Sequence, residues 1–124
     1  MSRSPDELVT QFCALWSKAD AATIAENMTE DAVYHNIPME PVQGREAIRA
    51  FIEGFLATID GIDFVVHRQV SDGGLVFNER TDIIRTKNGQ SIELPVTGVF
   101  EVVDDKVAAW RDYFDMTKMV QAFG

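Results

Sequence analysis

A single cysteine, Cys13, occurs in the 124 residues, so an internal disulfide framework is excluded. A lone thiol fits a reducing compartment. It falls on the apolar stripe of a predicted helix, which reads as a buried, inert side chain. The two histidines, His35 and His67, are separated and have no clustered ligands around them, which argues against a zinc or di-iron site. Basic residues are scarce as well: 11 Lys and Arg stand against 20 Asp and Glu, the net charge is −9, and no basic run occurs. Nucleic acid and anionic membrane are therefore not expected partners. No apolar run approaches membrane-spanning length, Met1 to Glu7 is polar rather than signal-like, and the cytoplasm is the expected location. A Gly-rich phosphate loop and a nucleophile elbow are absent too, the glycines falling mostly at turns. The hydrophobic fraction of 46% suits one ordinary globular domain spanning residues 1–124.

Four stretches carry helical signals. Ser4-Pro5-Asp6-Glu7 is a capping box with proline at the first helical position, followed by Leu8, Phe12, Leu15 and Trp16 at helical spacing. Asp20 caps a second helix through about Met28. A third follows Gly44, with Ile48, Phe51, Ile52, Phe55, Leu56 and Ile59 on its apolar face. Asp115 caps a short last helix ending near Gln121. One strand lies between the second and third helices, at residues 32–37, and is stopped by Pro38; Met39 to Gln43 reads as loop. From residue 64 onward the period changes to two. Strands are predicted at 64–71, 75–86, 90–103 and 107–114, joined by short turns that include the hairpin signal Asn88-Gly89. A bend is expected near Pro95 or Gly98. The order implies an α+β fold in which a mostly antiparallel sheet curls around the helices.

Alternation along residues 75–86 sends Val76, Asn78, Arg80, Asp82 and Ile84 to one face. Arg80 and Asp82 among apolar neighbours form either a structural ion pair or a working one, since unpaired charges there are costly. The same rule puts Tyr34 and Asn36 on one face of their strand, and Asp112 with Trp110 and Phe114 on one face of the last. Each residue alone has a structural explanation. Two carboxylates, a cation, a phenol and an amide facing one apolar interior together point to a site. On the other face, Leu75, Phe77 and Ile83 need a cover, for which a second subunit is the simplest candidate.

Tyr34-His35-Asn36, Asn78-Glu79-Arg80-Thr81-Asp82 and Trp110-Arg111-Asp112-Tyr113-Phe114-Asp115 resemble segments of the limonene-1,2-epoxide hydrolase family. Gly44-Arg45 and Gly98-Val99-Phe100 also fit, so the resemblance covers nearly the whole chain. It implies the cone-shaped nuclear transport factor 2-like fold, with a curved mixed sheet wrapped around about three N-terminal helices and a short C-terminal one. It also implies a homodimer and the cofactor-free addition of water to an epoxide, giving a vicinal diol. Carried over residue by residue, Asp112 corresponds to the general base and Asp82 to the general acid. Arg80 corresponds to the bridge between them, and Tyr34 and Asn36 to groups that hold the water. That division suits an epoxide oxygen that leaves badly without a proton and a water that attacks badly without a base.

Apolar residues expected near the site are Cys13, Trp16, Phe55 and Ile59, with Ile84, Leu94, Val96 and Phe114 from the strands. Such a lining suits a small cyclic or terpene-like epoxide. The fold hosts other activities. A ketosteroid-isomerase-like enzyme, a polyketide-cyclase-like enzyme and a non-catalytic binding or dimerisation module therefore stand as alternatives.

Overall fold

Ser4 and Glu7 make the helix start that their spacing predicts. In the computed structural model, which describes residues 3–123, the Ser4 hydroxyl accepts from the Glu7 N–H and the Glu7 carboxylate accepts from the Ser4 N–H, both at 3.1 Å. Capping of this kind is worth about 1 kcal/mol. Helix α1 (Pro5–Leu15) buries Leu8, Val9, Phe12 and Cys13, and a 3-10 turn at Trp16–Lys18 extends it. Asp20 caps α2 (Ala21–Glu26) by accepting from the Ala22 and Thr23 N–H groups. Met1, Ser2 and Gly124, which the single-domain expectation also spans, lie outside the described residues.

Two helix ends differ from expectation. Helix α2 stops at Glu26, and Met28 opens strand β1 (Met28–Asn36) instead of closing the helix. The Asn27 amide donates to the Thr23 carbonyl at the helix end, and its own carbonyl accepts from the Val107 N–H, which pulls the chain onto the sheet. Strand β2 (Val42–Gln43) is a two-residue edge where a loop was expected. Helix α3 (Arg45–Leu56) ends three residues short of Ile59, which begins β3 (Ile59–Asp72) by pairing with Thr86. Asp60-Gly61 is therefore inside the strand. Gly61 lies at an irregularity of that ladder, and a Cβ there would sit 2.5 Å from Arg85 Nη2, so the glycine lets the Arg85 side chain cross the strand.

Strands β4 (Leu75–Thr86), β5 (Ser91–Val103) and β6 (Lys106–Tyr113) and helix α4 (Met116–Phe123) complete the chain. Gly89 takes a φ of 87° in the β4–β5 hairpin, where Asn88-Gly89 predicts it. The β4–β5 ladder runs without a register shift through Pro95 and Gly98, so the expected bend does not interrupt pairing. The sheet order is β2-β1-β6-β5-β4-β3, antiparallel except where β1 runs parallel to β6. The result is an α+β fold with a six-stranded mixed sheet. Leu8, Phe12, Ile24, Ile48 and Ile52 from the helices form one core with Val76, Ile84, Phe100 and Trp110 from the sheet.

Candidate active site

Strand β4 alternates as its sequence demands. Val76, Asn78, Arg80, Asp82, Ile84 and Thr86 are buried, while the residues between them are exposed or half-buried. The Arg80 side chain is 0% exposed. Its Nε donates to Asp82 Oδ1 at 2.7 Å, and its Nη2 reaches both Asp82 Oδ2 (3.2 Å) and Asp112 Oδ2 (2.5 Å). Its Nη1 donates to Asn78 Oδ1 at 3.3 Å, and the guanidinium lies 4.3 Å over the Phe64 ring. One planar cation thus holds two carboxylates from different strands, a geometry that a lysine ammonium does not reproduce. Gly98 on β5 makes room for it. A Cβ there would stand 2.5 Å from Arg80 Nη1 and 3.0 Å from Asp112 Oδ1.

Parallel pairing of β1 with β6 brings the other polar residues alongside. Tyr34 is opposite Trp110 and Asn36 is opposite Asp112. The Tyr34 ring stacks on Trp110 with centroids 4.3 Å apart, and its hydroxyl donates to Asn36 Oδ1 at 3.3 Å. The Trp110 indole N–H donates to Asp112 Oδ1 at 2.7 Å. Period-two reading places Trp110 in the core but gives no hint of this bond, because a strand pattern assigns faces and not partners.

Burial is the largest influence on Asp82 and pushes its carboxyl up to about 6; the Arg80 cation and its hydrogen bonds offset part of that. Arg80 is held above the ordinary guanidinium value: burial opposes its charge, and Asp112 and Asp82 together outweigh burial. Burial also raises the Tyr34 phenol, which therefore stays neutral and keeps its proton to donate. With both carboxylates ionised the buried group carries a net negative charge, and with one protonated it is neutral.

Tyr34, Asn36, Asp82 and Asp112 line one largely apolar cavity of about 430 Å³. Of the apolar residues expected there, Trp16, Phe55, Ile84, Leu94 and Phe114 line it. Cys13, Ile59 and Val96 do not. Cys13 lies behind the site against the Asn78 amide, Ile59 is core at the start of β3, and Val96 is buried opposite Arg80 on the neighbouring strand. Arg80 is also behind the cavity wall, beneath the carboxylates that it bonds. Sequence reasoning passed over Phe51 and Ile52 on α3, Ile62 and Phe64 on β3, and Met116 and Met119 on α4. The last two are three residues apart, a helical spacing that marks α4 as a covering element. Neither histidine belongs to the site: His35 Nε2 contacts the Met39 carbonyl and His67 contacts Thr81 Oγ1.

The family model described as the limonene-1,2-epoxide hydrolase catalytic domain matches residues 3–124. The chain belongs to the limonene-1,2-epoxide hydrolase family. It is 30% identical over 111 residues to the epoxide hydrolase EphG of Mycobacterium tuberculosis, covering 90% of this chain and 73% of that protein. Among solved structures, an LEH-like epoxide hydrolase of M. tuberculosis superposes with a TM-score of 0.83 at 28% identity, covering 94% of this chain and 86% of the other. A putative SnoaL-like polyketide cyclase from Shewanella denitrificans OS-217 superposes at 0.84 with 15% identity, over 96% of each chain, which shows a shared fold alone. The fold is thus the nuclear transport factor 2-like and SnoaL-like one that the resemblance implies. Membership of the limonene-1,2-epoxide hydrolase family and the EphG relative support epoxide hydrolysis as the general activity of this chain.

Proposed function

We propose that this limonene-1,2-epoxide hydrolase family member adds water to a small apolar epoxide in one step and without a cofactor. Asp112 acts as the general base and Asp82 as the general acid. The observation that carries the reading is the Arg80 bridge between two buried carboxylates that both face one apolar cavity.

Asp112, bonded by Trp110 and Arg80, takes a proton from the attacking water. Tyr34 donates to Asn36 Oδ1, which leaves the Asn36 Nδ2 donor to hold the water oxygen. As the new C–O bond forms, the epoxide C–O bond breaks and its electron pair takes the proton of Asp82. The products are a vicinal diol, an ionised Asp82 and a protonated Asp112, and one proton moved from Asp112 back to Asp82 restores the start. Each proton transfer contributes roughly 10²–10⁴ in rate. The apolar lining, with Trp16, Phe55, Ile84, Leu94 and Phe114, favours a cyclic or terpene-like substrate.

The proposed assembly is a homodimer of single-domain chains, supported by the exposed apolar residues Val65, Val70, Leu75 and Phe77 on the outer face of β3 and β4. A cytoplasmic setting is supported by the one buried, unpaired cysteine.

Asp112→Asn and Asp82→Asn, assayed for diol against limonene oxide and cyclohexene oxide, test the reading. Loss of turnover in both variants with an unchanged circular dichroism spectrum is expected. Near-normal activity in either would overturn the assignment of that residue.

A further inference from the structure

Beneath Arg80 lies a line of hydrogen bonds that the proposed chemistry does not use. Arg80 has only donors to offer, so Asn78 must turn Oδ1 toward it. The Asn78 Nδ2 then donates to Gln69 Oε1 at 3.1 Å and approaches Cys13 Sγ at 3.6 Å. Gln69 in turn presents Nε2 to the Asp6 carboxylate at 2.8 Å and to Thr10 Oγ1 at 3.1 Å. A carboxylate that only accepts closes one end and a guanidinium that only donates closes the other. Both amides between them have one allowed orientation.

A bulge aligns this line. The β3–β4 register shifts between Val66 and Arg68, so Val66 is opposite Arg80 while Gln69 is opposite Asn78. Regular alternation after Phe64 and Val66 would send Arg68 inward instead. The bulge turns Arg68 out to Glu79, on the far face, and brings a neutral amide beside Asn78. A second cation next to Arg80 is thereby avoided. Gly98 completes the arrangement, since a Cβ there would stand 3.0 Å from Asn78 Oδ1 as well as against Arg80.

We infer that Asn78, oriented by Gln69, is a positioning residue: it fixes the third arm of the Arg80 fork, and through it how the charge is shared between Asp82 and Asp112. This rests on the proposed acid and base roles of those carboxylates. Asn78 is 2% exposed and does not line the cavity, so its effect reaches substrate only through Arg80. The other titratable groups facing the carboxylate pair are the Cys13 thiol on α1 and the Tyr34 phenol on β1, both neutral.

The test compares the full chain with Asn78→Leu, Asn78→Asp and Gln69→Leu in two measurements. One is turnover of cyclohexene oxide across pH. The other is the pH titration of the Trp110 indole N–H resonance, assigned with Trp110→Phe, which reports on Asp112 whether or not the enzyme turns over. In Asn78→Leu, kcat should fall about 10- to 100-fold with KM little changed, because Arg80 is displaced and the cavity is not. In Asn78→Asp, a third carboxylate draws on Arg80, so the alkaline limb of kcat/KM should move up by about one pH unit. Gln69→Leu, at a half-buried position that folds more readily, should lower kcat in the same direction by less. The indole titration should be displaced in all three. Folded variants with wild-type kcat and an unmoved titration would overturn the inference, and Gln69→Leu decides if the Asn78 variants do not fold. A wild type that opens no epoxide, with the indole titration still displaced in the variants, would sink the hydrolase reading and leave the positioning role standing.

Discussion

Arg80 serves two carboxylates because its donors lie in one plane and point in different directions, and four of them are in use, two on Asp82 and one each on Asp112 and Asn78. Arg80→Lys keeps the charge and removes the fork. Its kcat should drop on the order of 100-fold, measured at saturating epoxide, and activity close to wild type would contradict the bridge. Tyr34→Phe should be milder, about tenfold, because in the proposed mechanism Asp112 and Asn36 would still contact the water. In the proposed mechanism the pH dependence follows from Asp82. A general acid must be protonated, and its carboxyl is raised to about 6, so kcat/KM should be retained below that value and fall as pH rises through it. A profile flat across that range would remove Asp82 from the acid role. These residues were legible in the sequence because alternation is a local rule, and it placed Asn78, Arg80 and Asp82 on one face correctly. Whether Cys13, Ile59 and Val96 meet the cavity depends on the depth of packing, and periodicity carries no such information.

Elements differ in how plainly their sequences declare them. Helix α1 and the Asn88-Gly89 hairpin carry their own capping and turn chemistry, so their positions are local properties. The start of β1 at Met28 and of β3 at Ile59 are set by partner strands far away in sequence, which override the helical spacing of those residues. The bulge in β3 has the same character: nothing around His67 marks it, yet it selects Gln69 over Arg68 for the interior. At this scale Gly98 is the informative position on β5. Gly98→Ala should destabilise by about 1–3 kcal/mol, read from denaturant unfolding, and should lower turnover as well, since Arg80 and Asp112 both stand where the methyl would go. An alanine variant as stable and active as wild type would show that the site has more room than these distances allow.

For the whole molecule, the sheet has one face on the helices and another that leaves Val70 68% and Phe77 42% exposed. The proposed pairing of chains through that face would cover apolar residues that a lone chain leaves in water. Sedimentation at micromolar concentration should therefore give twice the chain mass, and Phe77→Glu should shift it toward the monomer. A wild-type monomer would overturn the proposed dimer. The cavity lies on the opposite side of the sheet, among the helices, so a folded monomer should retain turnover.

In the proposed mechanism water attacks the epoxide directly while Asp112 and Asp82 only move protons. A single turnover in ¹⁸O-labelled water, with enzyme in excess over cyclohexene oxide, tests it most directly. One labelled oxygen in the diol from the first turnover, with unlabelled Asp112 and Asp82 carboxyls in peptide mass spectra, is the expected result. An unlabelled first-turnover diol, with label appearing in either carboxyl, would mean that an aspartate attacks to form an ester, and would contradict it.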